Sequence, residues 1–154
     1  LMMAELFGRA NGVSKGKAGS MHLAAPEVGV MGASAVVAST ISLAVGAALA
    51  NRLQNKPGLS VVCFGDGATE QGTYHESLNF AALYNLPVLF LCENNGLAVH
   101  TTLAERQNYA IHKHAQAYGI ESVRIEEGWD FQRIGDVTAG ITAAMRKDGR
   151  PRLI

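Results

Sequence analysis

Asp66 stands between two glycines in Gly65-Asp66-Gly67-Ala68, directly after an apolar run, and two asparagines stand together at Asn94-Asn95. Glycines let a backbone come close to a phosphate, and the N–H groups of such a turn and of the helix behind it favour an anion. A carboxylate in the middle of the turn would repel that anion unless a cation lay between them. Carboxylate, side-chain amide and carbonyl oxygens, with phosphate oxygens, form the ligand set of Mg²⁺, which takes few protein ligands and completes its octahedron from phosphates and water. Plain turn chemistry is the alternative, because Gly-Asp-Gly is a common tight-turn tripeptide and neither motif is specific alone.

Spacing connects the two motifs. Between Gly67 and Asn94 lie 26 residues. That interval reads as one helix and one strand, which is what a single parallel crossover requires. The flanking runs 60–64 and 88–92 are apolar throughout after Ser60, as in strands covered on both faces. Thr73 with Glu76 forms a candidate capping box for the helix between them, ending near Tyr84.

Upstream, a glycine-rich loop over 11–33 precedes a helix that Ser34 could cap and that runs to about Gln54. Downstream, the pattern predicts a helix over 104–118, a third strand over 120–125, and a last helix capped by Asp130 and running to about Lys147. Leu153 and Ile154 read as the start of another buried strand. Strands alternating with helices predict an α/β fold, a parallel sheet with helices on both faces. Ligands of such sheets sit beyond the carboxyl ends of the strands, where loops 65–72 and 93–103 lie. Residues 1–154 read as one incomplete domain, cut at both ends from a longer protein, with 1–9 as the last turns of a helix begun earlier.

Composition narrows the class. Thirteen Lys and Arg balance thirteen Asp and Glu, 48% of residues are hydrophobic and only 17% charged. A chain of this kind can bury a core, and its scattered cations form no basic face, so neither a polyelectrolyte-type disordered chain nor a nucleic-acid partner is expected. The uncharged stretch 28–51 is long enough to cross a bilayer, but its serines, alanines and glycines and its lack of Phe and Trp predict a helix buried in protein, not in a membrane. Cys63 and Cys92 each lie in an apolar run and read as two buried thiols of a cytoplasmic protein.

The chain resembles a known family at these residues. Gly65-Asp66-Gly67, 26 residues, then Asn94-Asn95 is similar to the thiamine diphosphate binding motif. With Gln71-Gly72, Glu76, Asn79, Ala81-Ala82-Leu83, Leu86-Pro87 and Cys92-Glu93, the text around it resembles the alpha subunits of 2-oxo acid and acetoin dehydrogenases. Leu6-Phe7-Gly8-Arg9, Lys15-Gly16-Lys17, Gly19-Ser20-Met21-His22, Gly29-Val30-Met31-Gly32, Gly119-Ile120 and Val123-Arg124 extend the resemblance over nearly the whole chain.

The resemblance implies the cofactors thiamine diphosphate and Mg²⁺. The metal ligands would be Asp66, the Asn95 side chain and the Leu97 carbonyl, with Gly65, Gly67 and Ala68 at the diphosphate. Gly29 and Met31 would lie near the aminopyrimidine, and His22 would line the reaction cavity as the catalytic candidate. The implied activity is decarboxylation or carbon–carbon cleavage of a 2-oxo acid or acetoin through a thiamine-bound carbanion. The implied partners are a beta-type subunit, in an alpha2-beta2 heterotetramer, and a lipoyl-bearing acyltransferase. In the resembled enzymes the glutamate that activates the aminopyrimidine comes from the partner, so Glu76 keeps only its capping role here.

Gly96-Leu97 departs from the family, which often carries a bulky polar or aromatic pair after the second asparagine. A carbonyl ligand tolerates any side chain. The family's upstream Tyr-Arg and histidine contacts and its downstream histidine loop fall outside these residues. A non-catalytic alpha-like scaffold is the alternative reading. A nucleotide-binding Rossmann dehydrogenase would need a G-x-G-x-x-G turn after a strand, and none occurs. Among the histidines, His112 and His114 are two apart and point to different sides of a helix, so surface roles are expected; His75 reads as a packing or solvent residue, and His100 is placed near the cavity only by its loop.

Overall fold

A computed structural model describes all of residues 1–154. The chain divides into two compact units, Leu1–Thr40 and Ile41–Ile154.

In the first unit, α1 (Met2–Leu6) is followed mainly by loop, with one 3-10 turn at Pro26–Val28. A single carboxylate orders much of that loop. Glu5, 1% exposed, accepts the backbone N–H groups of Ser14 and Gly16, both at 2.8 Å, on Oε2 and that of Ala18, at 2.6 Å, on Oε1. Glycine is needed for the approach, since a Cβ at Gly12 would lie 2.6 Å from the Glu5 Cα and one at Gly16 would lie 2.5 Å from the Gly8 carbonyl carbon. Burial pushes the Glu5 pKa up, but the N–H groups of Ala18, Gly16, Ser14 and Gly19 outweigh it and hold the carboxyl below its ordinary value.

A carboxyl depressed by folding contributes stability that is present above its unfolded pKa and lost as pH falls through the folded one. Glu5→Gln, which keeps shape but loses one acceptor oxygen and the charge, is therefore expected to melt lower than the unaltered protein at neutral pH. Thermal unfolding over a pH series checks this, with the two curves converging only below about pH 4.5.

The 3-10 turn is closed by a two-way bridge, in which Ala25 donates to the Val30 carbonyl at 2.8 Å and Val30 donates back at 3.1 Å. Gly29 ends it in the left-handed region, at φ +86°.

Helix α2 (Ser39–Leu53) starts at Ser39, not at Ser34 as the sequence suggests. The cause is local. Ala38 sits at φ +66°, outside helical space, and the Ser34 hydroxyl accepts the Val36 N–H at 3.1 Å, a turn that competes with a helix cap.

The second unit is built on β1 (Ser60–Gly65), β2 (Val88–Glu93), β5 (Glu121–Ser122) and β6 (Arg152–Leu153), all parallel in the order β1-β2-β6-β5. It is an α/β fold with the parallel sheet flanked by helices α2, α3 (Gly72–Leu83), α5 (Ile111–Ala117) and α6 (Phe131–Asp148). Central β2 buries three successive side chains, Val88, Leu89 and Phe90, as a strand covered on both faces must. Edge strand β1 differs from expectation: Val62 and Phe64 are buried, but Val61 and Cys63 on the other face are exposed. Strand β1 thus has one covered face where the apolar run suggested two.

The third strand is shorter than 120–125, with Glu121 and Ser122 paired to β6. Ser122 sends its hydroxyl to the His112 carbonyl at 2.7 Å. Helix α6 matches its caps: Asp130 accepts the Arg133 N–H at 3.0 Å, and Gly149 closes the other end at φ +68°. No helix is long and apolar enough to cross a membrane.

Candidate functional site

Strands β1 and β2 pair in register along their full length, and Gly65 lies opposite Glu93. Both loops of interest therefore leave neighbouring strand ends. Residues Asp66–Glu70 turn in 3-10 fashion straight out of β1, with Asp66, Ala68 and Thr69 buried. After β2 the chain forms a short hairpin, β3 (Leu97–Ala98) and β4 (Thr101–Thr102), and then α4 (Leu103–Arg106). The loops touch at Gly67, where a Cβ would lie 2.8 Å from the Ala98 Cβ. Only a glycine lets the hairpin settle on the Asp66 turn.

Asp66 is 1% exposed and its Oδ2 accepts Nη2 of Arg106 at 2.5 Å. The same guanidinium donates through Nη1 to Glu70 and through Nε to the Thr101 carbonyl at 3.2 Å. Burial works against the Arg106 charge, but the hydrogen bonds and charges of Asp66 and Glu70 more than offset it and raise its pKa. Arg106 escaped the sequence reading, which had no way to pair residues forty positions apart on different elements.

A capping box fixes where Arg106 starts from. The Glu105 carboxylate accepts the Thr102 N–H at 2.9 Å and its hydroxyl at 2.6 Å. Thr73 and Glu76 carry the same pattern without the box, because α3 begins earlier, at Gly72, and is preceded by Gln71 with no side-chain cap. Nor does one helix span 104–118. It breaks between α4 and α5, where Gln107 and Tyr109 turn back to the Asp66 loop: the Thr69 hydroxyl lies 2.9 Å from Gln107 Oε1, and the Tyr109 hydroxyl donates to the Thr69 carbonyl at 2.8 Å. These tertiary bonds take precedence over helix continuation.

The Asn95 side-chain oxygen accepts the Leu97 N–H at 3.0 Å, and Asn94 does the same for Gly96. An amide oxygen has a second lone pair, so Asn95 retains acceptor capacity. The Leu97 carbonyl takes no part in the hairpin ladder, for a geometric reason. Leu103 donates to the Gly96 carbonyl at 2.8 Å, which makes Gly96 and Leu103 a hydrogen-bonded pair. The next pair of an antiparallel ladder, Leu97 with Thr102, is then non-bonded and turns its carbonyls outward. Asp66, Asn95 and Leu97 thus lie on two touching loops, and each carries an oxygen of the kind a hard cation such as Mg²⁺ selects. Gly67 and Ala68 lie in the first turn after β1, where backbone N–H groups lack an intrahelical acceptor.

His22, Gly29 and Met31 belong to the first unit, where all three are exposed, Met31 at 71%.

His114 corrects the expectation of a surface role. Its ring lies 4.8 Å from His75, 4.7 Å from Tyr109, 5.2 Å from Tyr118 and 6.0 Å from Tyr74. Burial, then the neighbouring His75, lowers its pKa. The cysteines need correction as well: Cys63 is exposed on the open face of β1 and Cys92 is half-buried. Burial, followed by the charges of Asp66 and Glu93, pushes the Cys92 thiol up to about 12, so it stays protonated and unreactive at neutral pH.

Residues 1–154 match the family model described as "Dehydrogenase E1 component" over their whole length. The chain belongs to this family. The alpha subunit of acetoin:2,6-dichlorophenolindophenol oxidoreductase from Bacillus subtilis is 41% identical over 154 residues, 99% of this chain and 46% of the relative. The pyruvate dehydrogenase E1 component alpha subunit of Zymomonas mobilis is 39% identical over 135 residues, covering 87% and 38% of the two chains. This E1-family chain spans about half the length of the curated relatives it matches. Its fold is similar to that of a solved structure described as a thiamin diphosphate-dependent enzyme from Mycobacterium smegmatis, with a TM-score of 0.56, 23% identity, and coverage of 73% of this chain and 20% of that one.

Proposed function

We propose that this chain is the cofactor-anchoring part of the alpha subunit of a thiamine diphosphate-dependent dehydrogenase acting on a 2-oxo acid or acetoin. The observation that carries this reading is the contact at Gly67, which lays the 95–98 loop against the Asp66 turn at adjacent strand ends. Asp66, Asn95 and the Leu97 carbonyl would hold Mg²⁺, and the backbone of Gly65, Gly67 and Ala68 would meet the diphosphate. Gly29 and Met31 would contact the aminopyrimidine and His22 would line the substrate cavity. When bound, thiamine diphosphate supplies the carbanion-stabilising chemistry, and the protein's part is to bind and orient it.

Relatives named for acetoin and for pyruvate support a substrate of that class. Both are named as alpha subunits, which supports a beta-type partner; an alpha2-beta2 assembly and a lipoyl-bearing acyltransferase as acceptor are proposed with it. Two cysteines left unpaired support a cytoplasmic location.

The test is reconstitution of the full-length protein with a beta-type subunit, thiamine diphosphate and Mg²⁺, reading reduction of 2,6-dichlorophenolindophenol with acetoin or pyruvate. Turnover is expected from the complex and none from the pure 154-residue chain. Turnover by the pure chain, or none from the complex with acetoin, pyruvate or a panel of other 2-oxo acids, would contradict the reading.

A further inference from the structure

Arg106 makes three side-chain contacts, two to the turn after β1 and one to the hairpin after β2. Its guanidinium meets Asp66 on the turn after β1, Glu70 at the end of that turn, and the Thr101 carbonyl on the hairpin that follows Leu97. The Arg106 side chain is 9% exposed and Asp66 1%, so that arm of the bracket is largely shielded from water. Only Oδ2 of Asp66 is used; no hydrogen bond reaches Oδ1. The Thr102–Glu105 box sets the helix turn from which Arg106 reaches back.

We propose that Arg106 is a positioning residue of the metal–diphosphate site, holding the Asp66 carboxylate and the Asn95–Leu97 loop in mutual register so that Oδ1 of Asp66 faces the cation. The inference rests on the reading given under the proposed function. Charge alone does not explain the arrangement, since an ammonium could neutralise Asp66 without reaching Glu70 and Thr101. A planar fork with several fixed donors joins all three at once. Arg106 also offsets one of the two carboxylates, Asp66 and Glu70, that would otherwise face the same diphosphate.

The experiment uses the full-length protein carrying this chain as unaltered protein, Arg106→Met, Arg106→Lys and Glu70→Gln. Two quantities are read: Mn²⁺ affinity with thiamine diphosphate present, by electron paramagnetic resonance of the free ion, and amide hydrogen exchange over 97–106 with α6 as the fold control. Arg106→Met is expected to weaken Mn²⁺ binding by about 10–100-fold, the range for groups that orient metal ligands. Exchange over 97–106 should accelerate while α6 keeps its protection. Arg106→Lys should keep part of the affinity and leave the hairpin exchanging fast; Glu70→Gln, which keeps the Asp66 arm, should lose less affinity than Arg106→Met.

Unchanged Mn²⁺ affinity in Arg106→Met would overturn the proposal. Tighter binding would overturn it too, by making Arg106 a competitor for the Asp66 carboxylate. Should α6 lose protection in Arg106→Met, the Lys and Gln variants decide by the same readings, and unaltered affinity in both overturns the proposal. Failure of the unaltered protein to bind Mn²⁺ with thiamine diphosphate would instead strike the proposed function, and this proposal with it.

Discussion

Asp66→Asn is expected to weaken Mg²⁺-dependent binding of thiamine diphosphate by more than about 100-fold, beyond the range seen when only a supporting group of a metal ligand is lost. The substitution keeps the shape of a side chain that is 1% exposed, so the turn should still form, but it removes the anionic donor on which a hard cation depends. Titration calorimetry of cofactor into protein with saturating Mg²⁺ measures the loss, and circular dichroism checks the fold. Equal affinity in Asp66→Asn would place the metal elsewhere.

Gly67→Ala is expected to weaken the same binding by about 100-fold without touching any ligand, as displacements of about an ångström can do at an active site. The new methyl would stand 2.8 Å from the Ala98 Cβ, closer than carbons can remain, so the hairpin must move. Ala98 adjoins Leu97, and shifting one shifts the carbonyl of the other. Gly140→Ala on α6 is the matched control, because a Cβ there meets nothing within 4 Å and cofactor affinity should be unchanged. Calorimetry on both variants gives the comparison, and retained affinity in Gly67→Ala would show that the hairpin yields without consequence.

The features that were legible in the sequence are those whose signals are local. The apolar runs around Val62 and Leu89 and the Asp130 and Gly149 caps lie within a few residues of what they specify, and the 26-residue interval from Gly67 to Asn94 spans one crossover. Adjacency of β1 and β2 follows from that interval, and with it the meeting of the two loops.

Features made by packing between distant elements were not legible. Arg106 and Asp66 are on different elements, as are His75 and His114. The break between α4 and α5 follows from bonds that Gln107 and Tyr109 make to Thr69, and no pattern within 104–118 announces it. Thr73 with Glu76 and Thr102 with Glu105 are the same four-residue signal, and only the second is a cap; what separates them is where each helix starts, one residue before Thr73 and one after Thr102. Cys63 read as buried because an apolar strand does not reveal whether one or both of its faces will be covered.

The most direct measurement is thermal unfolding of the full-length protein with thiamine diphosphate and Mg²⁺ together, with each alone, and with both on Asp66→Asn. A ligand that binds only the native state raises the melting temperature by mass action. The predicted result is a rise that needs both components and vanishes in Asp66→Asn. A rise of equal size in that variant, or no rise in the unaltered protein assembled with its beta-type partner, would contradict the anchoring site on which the account depends.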